Sequence, residues 1–93
     1  MAEKVARQAL TAAARRGAFE TDWRRATIET ADWRNRLGPQ HFYLFSMKVL
    51  AFICLRQRRP EESREILDKL AEIDPEDSVG AAVIRDLIRG AAC

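Results

Sequence analysis

Histidine, cysteine, proline and glycine are all scarce in this chain of 93 residues, which holds one His, two Cys, three Pro and four Gly. A single histidine and two cysteines far apart in sequence cannot build a zinc site of the familiar kinds. No glycine-rich phosphate loop and no nucleophile signature occurs. Glu61 with Glu65, and Asp74 with Asp77, form pairs of acids on paper only. They fall at solvated helix starts, where a carboxyl pKa has little reason to move. These absences argue against an enzyme, a cofactor and a metal. Cys54 lies inside an apolar run and Cys93 is the last residue, so no disulfide between them is expected. Both read as free thiols of a reducing cytoplasm, Cys54 as a small buried hydrophobe.

Long hydrophobic runs are also missing. The longest, residues 42–55, is too short to cross a bilayer and contains Lys48; the N-terminal stretch lacks the apolar segment of a secretory signal. A cytoplasmic protein without membrane contact is expected. With 47% hydrophobic and 32% charged residues, the composition is that of a folded chain, and the length allows one domain, residues 1–93. The net charge of +2 is unevenly spread. Residues 1–40 carry 8 basic and 5 acidic side chains, residues 41–60 carry 4 and none, and residues 61–93 carry 4 and 9.

No segment of useful length alternates with the strand period, so the chain reads as all-α. A first helix is expected from about Ala2 to Arg16, with Val5, Ala6, Ala9, Leu10 and Ala13 on one face and Gly17 as its stop. A second is expected over about residues 21–36, because Phe19, Trp23, Ala26, Thr30, Trp33 and Leu37 recur in alternating steps of four and three. Gly38-Pro39 separates it from a third, about residues 40–57, in which only Ser46 and Lys48 are polar between Phe42 and Leu55. A helix apolar nearly all round must be covered on several sides, so this one is read as central. The fourth, about residues 60–73, buries Ile66, Leu67, Leu70 and Ile73. Asp74-Pro75-Glu76-Asp77 then caps a fifth, carrying Val79, Val83, Ile84, Leu87 and Ile88 and ending at Gly90.

The stretch 44–77 resembles one tetratricopeptide repeat in a 34-residue frame. Met47, Leu50, Ala51 and Cys54 stand at the first-helix positions, Ser63, Leu67 and Leu70 at the second-helix positions, and Pro75 on the closing proline, preceded by Ile73-Asp74. Small residues at Ala51 and Ser63 let two helices approach closely. Cys54 in place of an aromatic, Leu70 in place of alanine, and Arg58 where a turn glycine is common depart from the pattern. The resemblance implies about five helices in one repeat-like domain. Residues 1–38 would be a divergent helical hairpin, 40–77 the repeat-like hairpin and 78–90 a capping helix. In size and architecture alone, the chain is also similar to the small bacterial co-chaperones that hold needle subunits of type III secretion.

Such repeats bind through their first helices. Projected onto this chain, the resemblance implies partner contacts at Phe45, Lys48, Phe52, Leu55 and Arg56, which share one face of the third helix. Two phenylalanines with two cations around them suit a protein segment or amphipathic helix carrying acidic groups. The competing reading has the second helix, with Trp23 and Trp33, covering Phe45 and Phe52 within the monomer. Trp23 and Trp33, in the near-repeat Asp22-Trp23-Arg24 and Asp32-Trp33-Arg34, read as core residues. His41 reads as a polar residue at a helix start. A small adaptor or chaperone of the bacterial cytoplasm is therefore expected, with a self-associating scaffold as its alternative. Nucleic-acid binding ranks lower. The first sixty residues are basic, but the third helix is too apolar for a groove and no helix-turn-helix or stacking pattern appears.

Overall fold

The computed structural model describes residues 2–92, among which there are four α-helices, one short 3-10 turn and no strand. The helices are α1 (Ala2–Gly17), α2 (Pro39–Arg56), α3 (Pro60–Ile73) and α4 (Ala82–Ala92). The chain is all-α as expected, with one helix fewer than the five anticipated. Cys93 lies outside the described residues.

α1 is rich in alanine, the strongest helix former, with Glu3 in its first turn and Arg15 and Arg16 in its last, each matching the helix dipole. Ala6, Leu10, Ala13 and Ala14 are buried against α2, whereas Val5 stays 63% exposed. The helix does not stop on a left-handed glycine. The left-handed residue is Ala18 (φ 57°), and the backbone N–H groups of Ala18 and Phe19 donate to the carbonyls of Arg15 and Ala14, the Schellman pattern. Gly17 serves a different purpose. A Cβ there would lie 2.2 and 2.5 Å from carbons of the Phe19 ring, which folds over it.

The predicted second helix does not form. Residues 18–38 make a chain of turns with one 3-10 turn at Trp23–Arg25. The cause lies in the short polar side chains, which take up backbone N–H groups that a helix would use. Asp22 accepts from the N–H of Arg24 (3.0 Å) and Asp32 from that of Arg34 (3.3 Å), so the near-repeat builds the same side-chain turn twice. Asn35 caps Leu37 in the same way, and Thr27 accepts from the N–H of Glu29. Both tryptophans point inward at 5% exposure, as expected of core residues, while Leu37 is left 99% exposed. Trp33 forms an aromatic cluster with Phe19 and Tyr43, ring centroids 5.1–5.7 Å apart, and its indole N–H donates to the Thr27 carbonyl.

α2 and α3 form a tight hairpin. At their crossing Ala51 and Ser63 are fully buried, and the Ser63 hydroxyl donates to the Ala51 carbonyl at 2.8 Å. The close approach expected of those two small residues is present. Arg58, standing where a turn glycine was looked for, has a left-handed φ of 62°. The N–H groups of Arg58 and Arg59 donate to the carbonyls of Leu55 and Cys54, a second Schellman ending.

α4 begins later than expected and continues through Gly90 rather than ending there. Asp77 (φ 54°) and Gly80 (φ 72°) hold the chain in turns, and the Asp77 carboxylate accepts from the N–H groups of Ala81 and Ala82 at the helix start. Asp74 accepts from the N–H of Ser78 instead of opening a helix at Pro75. Ile84 and Ile88 pack inward, while Val83 and Leu87 remain half-exposed or more.

Candidate functional site

α2 sits at the centre. Tyr43, Leu44, Met47, Leu50, Ala51 and Cys54 are all fully buried against α1, α3 and α4. Its remaining face has no partner among the described residues. Phe42, Phe45, Val49, Phe52 and Arg56 follow one another in steps of three and four, which is the stripe spacing of a helix seam. Phe42 is 53%, Phe45 47% and Phe52 41% exposed, and Val49 is partly buried.

The neighbouring helices extend this stripe on both flanks. Toward α1, Val5 and Ala9 face Phe42, Phe45, Val49 and Ile53 across an apolar groove of about 360 Å³. The groove continues past Ala12 and Arg16 to Leu37 and Pro39. On the other flank, Lys48 lies beside Gly80, ahead of α4. Arg85 reaches Asp68 of α3 at 3.1 Å, and Val83 and Leu87 lie on the opposite flank of the Ile84–Ile88 stripe. Among the described residues the exposed Val5, Phe42, Phe45 and Phe52 gather at the outward face of α2, Leu37 lines the extension of its groove, and Ile28 stands apart in the loop.

The five residues expected to contact a partner divide. Phe45, Phe52 and Arg56 lie on the outward stripe, while Lys48 and Leu55 are partly buried on its flank. The Lys48 ammonium stands 6.0 Å from the Phe45 ring centroid, at the outer limit of a cation–π contact. Phe42, Val49 and Ile53 complete the face but were not singled out from the sequence. The step of three from Phe42 to Phe45 was available as a signal. Val5, expected on the buried side of α1, forms a wall of the groove.

Trp23 and Trp33 do not cover Phe45 and Phe52. The 18–38 loop is held on the α3 side, where the Lys69 ammonium donates to the Ala26 carbonyl at 2.7 Å and Arg24 pairs with Glu65 at 3.7 Å. Trp33 reaches only the buried Tyr43 side of α2.

A larger depression, about 700 Å³, opens on the far side of α1 beside Glu3, Arg7, Thr11 and Gln57, but it is shallow and polar. Its central charges satisfy one another. Arg7 bridges Glu3 (2.9 Å) and Glu62 (2.6 Å), and Arg59 bridges the same two carboxylates, fastening α1 to the α2–α3 turn. Hydrogen bonds from Arg59 and then Arg7 hold the Glu3 carboxyl below its ordinary range, and the bond from Arg7 does the same for Glu62. Burial first, and then the nearby carboxylates of Glu62 for Cys54 and of Asp22 and Glu20 for Tyr43, raise the Cys54 thiol and the Tyr43 phenol, which disfavours a reactive thiolate at Cys54. Among the described residues no group of three or more His, Cys, Asp or Glu side chains is placed to hold a metal ion. No helix among them is long and apolar enough to cross a membrane.

No protein-family model, curated protein or solved structure matches this chain.

Proposed function

We propose that this protein is a protein–protein interaction module, a small adaptor or chaperone that binds a helix or segment of another protein along the outward face of α2. The carrying observation is the exposed stripe of Phe42, Phe45 and Phe52, flanked by apolar residues of α1. Contiguous exposed apolar surface of this kind marks interaction sites. Finishing the burial of three half-exposed phenylalanines is worth roughly 1 kcal/mol each, enough to contribute materially to a micromolar complex. Tetratricopeptide-like use of the first hairpin helix is consistent with this placement. The close Ala51–Ser63 crossing supports the likeness, and the turn-built 18–38 segment departs from it.

The test is affinity capture of the tagged chain beside a Phe45→Ser/Phe52→Ser variant, with far-ultraviolet circular dichroism and a melting curve for each. Both side chains are exposed, so the variant should keep its fold. A stoichiometric partner captured by the parent chain and lost by the folded variant supports the reading. A partner retained equally by both refutes the assignment of the face. Self-association is the second reading, favoured by the same apolar stripe. Concentration-dependent dimerisation of the pure chain, abolished in the variant, would establish it.

A further inference from the structure

We infer that the occupant of this face is an amphipathic α-helix of about four turns with acidic residues on its flanks, rather than a second copy of this chain. The inference rests on the docking face proposed above and adds the chemistry of what it receives. Length comes from the stripe itself. Phe42 to Arg56 spans fourteen residue steps, about 21 Å of helix. A partner helix offering large apolar side chains at i, i+3, i+7 and i+10 matches Phe42, Phe45, Val49 and Phe52 along that length.

Charge decides between occupants. Arg16 borders the groove at the Phe42 end, Lys48 stands beside Phe45, and Arg56 closes the stripe at the other end. None of the three makes an ion pair among the described residues. No acidic side chain lines the α1–α2 groove along its length, and residues 41–60 hold four cations and no acid. The chain's own acids are elsewhere. Glu3 and Glu62 are engaged by Arg7 and Arg59, and Glu65, Asp68 and Glu72 of α3 pair with Arg24, Arg85 and Lys69. Two copies joined through α2 would bring one set of these cations against another. A helix with acidic flanks meets Arg16, Lys48 and Arg56 while its apolar seam covers the phenylalanines. Like charges across an interface penalise the wrong partner, and opposite charges steer the right one.

The experiment uses the full chain and two labelled synthetic helical peptides of about eighteen residues, long enough to hold helix. Both carry leucine at the four seam positions; one has glutamate on its flanks, the other lysine. Binding is followed by fluorescence anisotropy at low salt and again at about 0.3 M salt, where exposed charges are screened. The expected result is binding of the glutamate peptide at least about tenfold tighter than the lysine peptide, with the gap closing in salt. The variant Arg16→Gln/Lys48→Gln/Arg56→Gln should remove the preference while leaving salt-insensitive binding in place. Phe45→Ser/Phe52→Ser should abolish binding of both peptides. Equal binding of the two peptides, lost in the phenylalanine variant, would leave the docking face standing and overturn the acidic occupant. Failure of both peptides to bind the folded chain would overturn both. Sedimentation of the chain alone as a dimer that dissociates in the phenylalanine variant would assign the face to a second copy. Tighter binding to anionic phospholipid vesicles than to the glutamate peptide would assign it to a membrane surface.

Discussion

Exchanging the roles of two adjacent residues at the end of α1 should move stability in opposite directions. Ala18 is left-handed (φ 57°), a conformation that costs an L-residue roughly 1–2 kcal/mol and glycine nothing. Glycine also frees the unfolded chain, at a cost of about 0.5–1 kcal/mol. Ala18→Gly should therefore stabilise the protein by about 0.5–1 kcal/mol, or several degrees in Tm for a domain of this size. Gly17→Ala is the reverse case. Its new methyl would meet the Phe19 ring at 2.2 Å, and that ring is held by Trp33 and Tyr43. Displacing it overpacks the aromatic cluster, for which about 1–3 kcal/mol is typical, more than the helix propensity alanine gains at a terminus. The assay is urea denaturation followed by circular dichroism, with both variants compared at unchanged slope. Arg58→Gly, at the matching left-handed position after α2, should behave like Ala18→Gly. Destabilisation by Ala18→Gly or stabilisation by Gly17→Ala would refute the assignment of left-handed strain to residue 18 and of close approach to residue 17.

Ala51→Leu inserts bulk at the α2–α3 crossing, where Ala51 and Ser63 are both fully buried. It should cost about 1–3 kcal/mol or more in denaturant melts, because neither helix can retreat without breaking the Ser63–Ala51 hydrogen bond. Tyr43→Phe removes a buried hydroxyl that has no hydrogen-bond partner among the described residues. It should be neutral or stabilise by up to about 1 kcal/mol, and a clear loss in Tm would mean that the hydroxyl is satisfied in solution. The carboxyls of Glu3 and Glu62 are held below their ordinary value of 4.5 by Arg59 and Arg7. Their contribution is present above that value and lost as pH falls through the depressed folded values, so Tm should drop between neutral pH and about pH 3. Glu62→Gln should flatten part of that acid limb, and an unchanged acid limb would show that the bridges contribute nothing.

α1, α2 and α3 were legible because their patterns are long and their ends punctuated. Pro39 and Pro60 sit in first turns, and the stripe of Ile66, Leu67, Leu70 and Ile73 is buried as read. The 18–38 segment was misread because the spacing of Trp23, Ala26 and Trp33 is as compatible with a string of inward-pointing turns as with a helix. Periodicity reports burial, not backbone conformation. Asp22, Asp32 and Asn35 carried the missing signal, since each accepts from the N–H two residues on. α4 was placed too early for a similar reason, as Asp74 and Asp77 cap successive turns before they cap a helix. Of the candidate face, Phe45 and Phe52 were found by analogy with a repeat. Val5 and Phe42 escaped notice because exposure of an apolar residue is decided by what neighbouring segments cover, which spacing within one helix does not encode.

The misread segment and the open face are physically connected. The competing reading of the sequence has a helix over residues 21–36 cover the outward side of α2. Turns folded by Asp22, Thr27 and Asp32 instead shorten the segment and lay it over α3, where Lys69 and Glu65 hold it. Trp33 then spends its apolar surface on Phe19 and Tyr43, the side of α2 already buried. A chain of this length buries a modest share of its surface in any case. Placing both tryptophans on one side of the central helix leaves Phe42, Phe45 and Phe52 on the other side exposed among the described residues. The local preference of aspartate for turns thus selects which face of α2 is core and which is left exposed.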